Sequence, residues 1–344
     1  MRKVRVRRLL PAVLALFVVA AVSTTVGLSA NSDARQSSTV KIGVYREISE
    51  AFLWNMGKFL EKYNIEPEFI EAGSYPQQVL ALQKGDTDFG ILGVPQIATL
   101  AATRDKKLKV VTGYSLGGQE IVLRKDVRAT NWNQLAGKTI GAPLSTATGI
   151  MVRIAMDIAN APTTVKIAQA GFTGTAELQA LKSNQWQGLA YWPPTDAQAV
   201  VDDYAYWVKR RSPLDINATP GGPSNGLLAA GADVRKDATL MTNFLKGFTQ
   251  SLVWTRNHPG QWIKIAAELT SVKPNVVKAS LTQMELNYGV DVQGIHFVGQ
   301  YGPKLGFTKR KPTMKDIRSV IDVSYLAKAT GKSQAQLTKR LRMR

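Results

Sequence analysis

A serine between glycines is the most enzyme-like feature of the sequence. Residues 113–117 read Gly-Tyr-Ser-Leu-Gly, which matches the G-x-S-x-G turn that exposes a nucleophilic serine between a strand and a helix. However, the residues that follow, 121–123, are typical of a strand. The base would have to be His258 or His296, and neither follows an acidic partner at a strand end. We therefore interpret Ser115 as part of a glycine-rich turn and keep a secreted serine hydrolase as the alternative.

Thiol and metal chemistry have little support. The sequence contains two histidines and no cysteine, which excludes a disulfide, a thiolate metal site and a cysteine nucleophile. The histidines are 38 positions apart and lie outside any H-E-x-x-H pattern. The sequence therefore predicts no metal site and no cofactor.

Polar and aromatic residues at predicted strand ends indicate ligand binding instead. Ser145 and Thr146 precede a predicted helix, where hydroxyls and unpaired amides attract anions, although both residues are also common N-caps. Trp192 ends a predicted strand and either packs in the core or forms an apolar wall for a ligand. Arg46 follows the first strand and either balances an anionic ligand or is a solvated surface residue.

Alternating strands and helices must position these residues. Predicted strands at 40–44, 67–70, 89–92 and 108–112 are separated by predicted helices at 51–63, 77–84 and 96–103. After a crossing strand at 121–123, strands at 138–142, 165–168 and 188–192 are followed by helices at 147–160, 175–183 and 195–204. This alternation predicts an α/β fold with parallel, doubly wound sheets. The turn-rich residues 220–226 predict a second crossing.

Two segments ninety-nine residues apart repeat one order of elements. Residues 81–95 and 180–194 each contain a helix end, a polar break, an apolar strand and a proline. Because ligands bind at the carboxyl ends of strands in open α/β sheets, we expect Gly93 and Trp192 to face one crevice. Gly93 would expose backbone there, and Trp192 would supply a flat wall.

The N-terminal residues predict export. Five basic residues precede an apolar run at 9–22, and small residues follow near Ala30 and Ala34, the layout of a cleaved secretory signal peptide. The run is shorter than the roughly 20 residues of a membrane span, although a retained anchor is the alternative. With no cysteine after the run, the protein is not expected to be a lipoprotein.

The net charge indicates which kinds of partner the protein is expected to bind. The formal charge of +19 suits an anionic solute or an anionic membrane surface. A nucleic-acid partner is not expected, because basic residues interleaved with aromatics and recognised motifs are missing from the sequence.

Several of these motifs together resemble a known family. They are a Gly-Ser turn at 73–74, the Gly-Asp-Thr-Asp-Phe-Gly segment at 85–90, Gly93 and Pro95, Leu-Ala-Gly-Lys-Thr-Ile-Gly at 135–141, Ser145-Thr146, and 188–194. Over residues 40–261 the chain resembles periplasmic solute-binding proteins of ABC importers for nitrate, sulfonates and taurine, and the related thiamine-precursor binders. The resemblance implies a two-lobed type II periplasmic-binding-protein fold with a ligand cleft between the lobes.

The resemblance also implies a site and partners. By position, the ligand-binding residues would be Ser74, Gln77, Gly93, Gln96, Ser145, Thr146 and Trp192, to which we add Arg46. The sequence departs from the family at Leu144-Ser145, where Gly-Ser is usual, and at Gln187-Gly188, where an Asp is usual. The implied partners are a small, anionic or aromatic solute and an ABC permease with its ATPase, met in transient contact at the membrane.

These inferences give an organisation for the whole chain. We expect a signal peptide and exit region at 1–34, lobe 1 at 35–118 and again at 226–325, lobe 2 at 119–225, and a solvated basic tail at 326–344. The function expected is that of a monomeric, periplasmic, non-enzymatic substrate-binding protein that closes its lobes on a sulfonate, taurine-like or nitrate-like solute. A sensor or scaffold built on the same fold is a further alternative.

Overall fold

Two β-sheets form the framework of the protein. The computed structural model describes residues 37–343, so the expected signal peptide lies outside the described residues. The strands of the first sheet are β1 (Ser38–Val44), β2 (Ile65–Glu71), β3 (Phe89–Leu92), β4 (Lys109–Gly117), β10 (Asn225–Ala230) and β11 (Met284–Leu286). Those of the second sheet are β5 (Glu120–Arg124), β6 (Thr139–Ala142), β7 (Lys166–Gln169), β8 (Gly188–Tyr191) and β9 (Ala205–Trp207).

Helices cover both sheets. In chain order they are α1 (Gly57–Leu60), α2 (Tyr75–Lys84), α3 (Val94–Thr103), α4 (Ala147–Ile158), α5 (Thr175–Lys182), α6 (Thr195–Val201), α7 (Ala238–Asn257), α8 (Pro259–Thr270), α9 (Pro274–Ser280), α10 (Val292–Gln300), α11 (Gly302–Leu305), α12 (Met314–Ser319), α13 (Ser324–Thr330) and α14 (Gln334–Leu337). Short 3₁₀ segments lie at Ile48–Asn55, Glu61–Tyr63, Trp132–Leu135, Ile216–Ala218 and Val234–Lys236.

Each sheet has a parallel part to which antiparallel strands are added. The strand orders are β11-β4-β10-β3-β1-β2 and β7-β6-β8-β5-β9. β1 runs parallel to β2 and β3, whereas β10 runs antiparallel between β3 and β4. In the second sheet, β6 runs parallel to β7 and β8, and β5 is antiparallel to β8. The α/β fold is confirmed, and the antiparallel strands are β5 and β10, which each follow a crossing, and the short edge strand β11.

Two crossings connect the lobes. The first is the turn from β4 to β5, where Gly117 and Gly118 have φ angles of 70° and 72° that favour glycine. The second joins β9 to β10 through residues 208–224. We call the part built on the first sheet lobe 1 and the part built on the second sheet lobe 2. The strands of lobe 2 all lie between the two crossings.

The core of lobe 1 explains why the helical C-terminal third of the chain belongs to it. All four residues of β3 are buried, as expected for a central strand covered on both faces. The Phe89 ring of this strand stacks on Phe244 of α7 with centroids 4.0 Å apart. Phe248, one turn further along α7, packs edge-on against Phe52 at 4.9 Å. The long helix α7 therefore buries its apolar face against the first sheet.

Three expectations from the sequence need correction. Ser115 does not lie in a turn but inside β4, paired with Gly226 of β10 and Leu286 of β11, because strand partners distant in sequence extend β4 to Gly117. The helix expected at 51–63 is a series of short 3₁₀ and α segments, whose first part is mostly buried and so is not an amphipathic surface helix.

The third correction concerns the basic C-terminal stretch. Its charged side chains are mostly at the surface, but Leu337 and Leu341 are buried in the core. The backbone N–H of Leu341 donates to Asp291 Oδ2 at 3.2 Å. The stretch is therefore packed against lobe 1, because its leucines have an apolar surface to cover.

No helix within residues 37–343 is both long enough and apolar enough to cross a lipid bilayer. The same residues contain no group of three or more His, Cys, Asp or Glu side chains placed to hold a metal ion.

Candidate functional site

A cleft of about 780 Å³ lies between the two lobes. Lobe 1 contributes the residues after β1, the start of α2, the junction of β3 and α3, and part of β4. Lobe 2 contributes the start of α4, the loop after β7 and the residues after β8. The cleft is therefore formed at the carboxyl ends of strands, which is where open α/β sheets place their ligands.

Most of the residues expected from the sequence line this cleft. The lining includes Arg46, Ser74, Gly93, Gln96, Ser145, Thr146 and Trp192. Gln77 is the exception: its side chain is exposed, and its backbone N–H donates to the N-cap Ser74 Oγ at 3.4 Å. Gly93 is the N-cap of α3, and a Cβ at this position would lie 2.9 Å from Gln96 Oε1. The absence of a side chain at Gly93 thus lets Gln96 fold over the strand end.

The start of α4 gives lobe 2 its polar edge. Thr146 is the N-cap; its hydroxyl donates to Pro143 O at 2.7 Å and accepts the Gly149 N–H at 3.4 Å. Capping therefore accounts for Thr146 locally. The hydroxyl of Thr148 is fully buried and has no hydrogen-bond partner among the described residues. First-turn amides have no acceptor inside a helix, so this edge presents hydrogen-bond donors and the positive end of a helix dipole.

Aromatic rings form the apolar wall of lobe 2. Trp192 stacks on the neighbouring Tyr191, with centroids 4.1 Å apart and an interplanar angle of 15°. The hydroxyl of Tyr191 donates to Gly171 O at 3.1 Å, which fixes the ring beneath Trp192. Phe172 lies 6.4 Å from Trp192 and is 62% exposed. Trp192 and Phe172 both line the cleft, so a flat or apolar part of a ligand has a surface to contact there.

Three tyrosines line the lobe 1 side of the cleft. The rings of Tyr45 and Tyr75 have centroids 5.0 Å apart at an angle of 59°. Tyr114, from β4, packs against Phe52 at 6.2 Å. The hydroxyl of Tyr45 is buried with no hydrogen-bond partner among the described residues. Lobe 1 therefore offers rings and hydroxyls rather than a bare apolar wall.

Two carboxyl groups lie among these tyrosines. Glu50 is 0% exposed, and its Oε2 accepts the backbone N–H groups of Tyr45 and Arg46, each at 2.9 Å. Burial, with the carboxylate of Glu47 nearby, raises the pKa of Glu50 well above its usual range. Glu47 lines the cleft and is partly exposed. Burial raises the pKa of Glu47 to about 7, and a hydrogen bond with Ser49 opposes the shift. Burial therefore disfavours the charged form of both carboxyl groups, and it does so most strongly for the sealed Glu50.

Arg46 is the one cleft-lining cation among the described residues, and an acid balances it. Its Nε lies 3.9 Å from Glu71 Oε2, and its side chain is 38% exposed. The arginine is held in the left-handed backbone region at φ 60°. The lobe 1 side of the cleft is therefore not positively charged, contrary to what the net charge of the chain suggests.

Sequence reasoning missed the acidic and aromatic residues of the site. Tyr45 and Glu47 flank Arg46 directly after β1, and Phe172 follows β7, so the rule applied to Arg46 and Trp192 would also have selected them. Tyr75 and Tyr114 carry no such signal. They reach the cleft because α2 begins there and β4 ends there.

The structure does not assemble a catalytic triad around Ser115. Ser115 lines the cleft, but it lies inside a strand and is not on a strand-to-helix elbow. Neither of the two histidines of the described chain lines the cleft. His258 Nδ1 contacts Trp254 O at 2.7 Å, and His296 contacts Gln300 in the adjacent helical turn. Ser115 therefore has no histidine base in this arrangement.

The chain is similar in structure to several solved proteins. The periplasmic aliphatic sulphonate binding protein SsuA from Escherichia coli superposes with a TM-score of 0.69 at 16% identity, covering 83% of this chain and 92% of that one. The periplasmic nitrate-binding protein NrtA from Synechocystis gives 0.68 at 13% identity, covering 88% and 92%. The desulfurization enzyme DSZB gives 0.59 at 12% identity, covering 86% and 99%. No protein-family model and no curated protein sequence matches the chain.

These likenesses define the fold. The two sheets, the two crossings and the cleft are those of the two-lobed type II periplasmic-binding-protein fold, as the sequence resemblance predicted. DSZB shares this fold and is an enzyme, so the fold itself does not separate binding from catalysis.

Proposed function

We propose that the protein is the extracytoplasmic substrate-binding component of an ABC importer. Its signal peptide directs it to the periplasm, where as a monomer it captures a small organic solute and passes it to a membrane permease driven by an ATPase. The observation that carries the proposal is the 780 Å³ cleft at the carboxyl ends of the strands of two lobes joined by two crossings. A cleft of this size suits an organic solute and needs no catalytic group.

An anionic group on the solute fits lobe 2. The first turn of α4 offers amide donors and a helix dipole, and the unpartnered Thr148 hydroxyl adds a further donor. A sulfonate or carboxylate with a flat or apolar body would place its oxygens there and its body against Trp192. Lobe closure about the two crossings would then complete the contacts, and the solute favours the closed form only by binding it more tightly.

A ligand screen tests the proposal directly. The chain from residue 35 onward would be purified and heated with sulfonates, nitrate, carboxylates and pyrimidines. A true ligand at 100 times its Kd raises the unfolding free energy by about 2.7 kcal/mol, which appears as a clear increase in Tm. Small-angle scattering should show a smaller radius of gyration with the same ligand, because the lobes close. Failure of every solute class to raise Tm, with none found by native mass spectrometry of the purified protein, would contradict the proposal.

The hydrolase alternative has its own test. Any esterase activity of the purified protein would be measured before and after Ser115→Ala. Under the proposed function, Ser115→Ala leaves whatever trace activity is present unchanged. Complete loss of a substantial activity would support the hydrolase and overturn the receptor.

A further inference from the structure

Unpaired hydrogen-bond acceptors lie on the lobe 1 side of the cleft and at the first crossing. Gln96 Oε1 and Gln119 Oε1 are buried and accept no hydrogen bond from the described residues, and both side chains line the cleft. A buried acceptor left unpaired costs free energy, so these oxygens favour a ligand that donates hydrogen bonds. A sulfonate or nitrate group has no donor to offer.

The charges on the lobe 1 side of the cleft also favour a ligand group that donates hydrogen bonds. Arg46 is balanced by Glu71, whereas Glu47 lines the cleft and forms no ion pair with a basic side chain of the described residues. The neighbouring Glu50 is a second carboxyl group, so it supplies no positive charge to offset Glu47. A cationic group would relieve the cost of burying the Glu47 carboxylate, because opposite charges stabilise each other most where water is scarce.

The rings around Glu47 complete the arrangement. Tyr45, Tyr75 and Tyr114 all line the cleft, and burial, with the carboxyl groups of Glu47 and Glu50 nearby, raises the pKa of each hydroxyl. Aromatic faces attract cations, and ammonium groups are commonly held between rings and a carboxylate. Tyr45 also has its unpartnered hydroxyl here.

We propose that Glu47, with Tyr45, Tyr75 and Tyr114, forms a subsite for a cationic nitrogen of the solute. The solute is then a zwitterion, with its nitrogen in lobe 1 and its anionic group at the first turn of α4. Gln96 and Gln119 accept hydrogen bonds from the same nitrogen or from donors beside it. This inference rests on the proposed function and narrows its ligand from an anion to an amine-bearing anion.

Matched pairs of probes test the subsite. Each pair differs by one amino group: taurine and ethanesulfonate, β-alanine and propionate, 4-(aminomethyl)benzoate and 4-methylbenzoate. Kd values would be measured by calorimetry on the chain from residue 35 onward. A hydrogen-bonded ion pair should make the aminated member of at least one pair bind about 10-fold more tightly. Equal or weaker binding of the aminated member in every pair overturns the inference and leaves the receptor standing.

Substitution of the carboxylate identifies the residue responsible. Glu47→Gln keeps the shape of the side chain and removes its charge. It should therefore raise the Kd of the aminated member about 10-fold and change the Kd of the nitrogen-free member less than about 2-fold. Glu66→Gln, on the exposed face of β2, is the matched control and should change neither. If Glu47→Gln weakens the binding of both members equally, or of neither, Glu47 does not bind the cationic nitrogen and the inference is wrong. If no probe of either kind binds at millimolar concentration, the inference fails, and the wider solute screen and native mass spectrometry decide the proposed function separately.

Discussion

Arg340 forms an ion pair with Asp291, with Nη1 3.2 Å from Oδ2. The same guanidinium donates to Pro220 O in the second crossing. Three residues on, Met343 lies beside the first crossing, where its Sδ would be 2.4 Å from a Cβ placed on Gly117. A short C-terminal segment therefore contacts both connections between the lobes.

We expect Leu341 to anchor this segment. Leu341→Ala should lower the free energy of unfolding by about 2–3 kcal/mol, because the removed methyl groups leave a cavity in a buried site. Urea denaturation measures the change. Arg342→Ala is the control, since Arg342 is exposed and should alter stability by less than about 0.5 kcal/mol. Equal effects of the two substitutions would mean that the segment is not packed.

The first crossing should depend on glycine. Gly117→Ala forces a Cβ into the left-handed region at φ 70° and against Met343, so it should cost about 1–3 kcal/mol of stability. Gly260→Ala, in the first turn of α8, meets no atom within 4 Å and should be neutral or stabilise by up to about 1 kcal/mol. Thermal unfolding of both variants measures these changes in stability. A Gly117→Ala variant as stable as the parent would contradict it.

Removal of the unpartnered Thr148 hydroxyl should weaken ligand binding without lowering stability. Thr148→Val should leave the ligand-free protein equally stable or up to about 1 kcal/mol more stable, because a buried unpaired hydroxyl is removed. The Kd for the ligand found by screening should rise about 5-fold or more. Thr146→Val is the contrasting variant: it loses the N-cap of α4 and should destabilise the protein by about 1 kcal/mol. Unchanged affinity in Thr148→Val would remove this hydroxyl from the binding site.

Trp192 should matter for affinity. Trp192→Ala removes the ring that faces the cleft, and we expect Kd to rise about 3- to 10-fold for an aromatic or apolar ligand, the range given by a lost ring contact. Trp254→Ala, on α7 away from the cleft, should leave Kd unchanged. Intrinsic fluorescence titration measures both variants. If Trp192→Ala binds the ligand as tightly as the parent, Trp192 does not contact the ligand and the binding site has been assigned to the wrong residues.

The contribution of Asp196 to stability should fall as the pH rises from about 4 to about 7. Asp196 is fully buried, and this burial raises its pKa to about 7. The folded protein therefore holds a proton that the unfolded carboxyl, with a pKa near 3.9, releases. Unfolding releases this proton between about pH 4 and pH 7, so the contribution of Asp196 to stability declines across that window by up to about 1.4 kcal/mol per pH unit. Asp196→Asn should show a flatter dependence of Tm on pH than the parent. Identical slopes would show that Asp196 is ionised in the folded state.

Local sequence patterns predicted the parts of the fold that depend on local interactions. Strand 89–92 was predicted at its observed bounds, because a continuous apolar run follows the helix-ending Gly85 and stops at Gly93. The first-lobe strand 108–112 was predicted too short, since its extension to Gly117 depends on pairing with β10 and β11. Strands β9 and β11 have three residues each and carry too little periodicity to be predicted.

The sequence by itself determined the alternation of strands and helices, the two crossings and the strand ends at which Ser145 and Trp192 lie, because each follows from periodicity or turn chemistry within a few residues. Only the tertiary structure decided the electrostatic character of the cleft. Glu47, Tyr75 and Tyr114 come from three separate elements, and the balancing of Arg46 by Glu71 depends on the pairing of β1 with β2. Charge and hydrogen bonding act through space, so a net charge counted along the chain cannot reveal which sign faces the ligand.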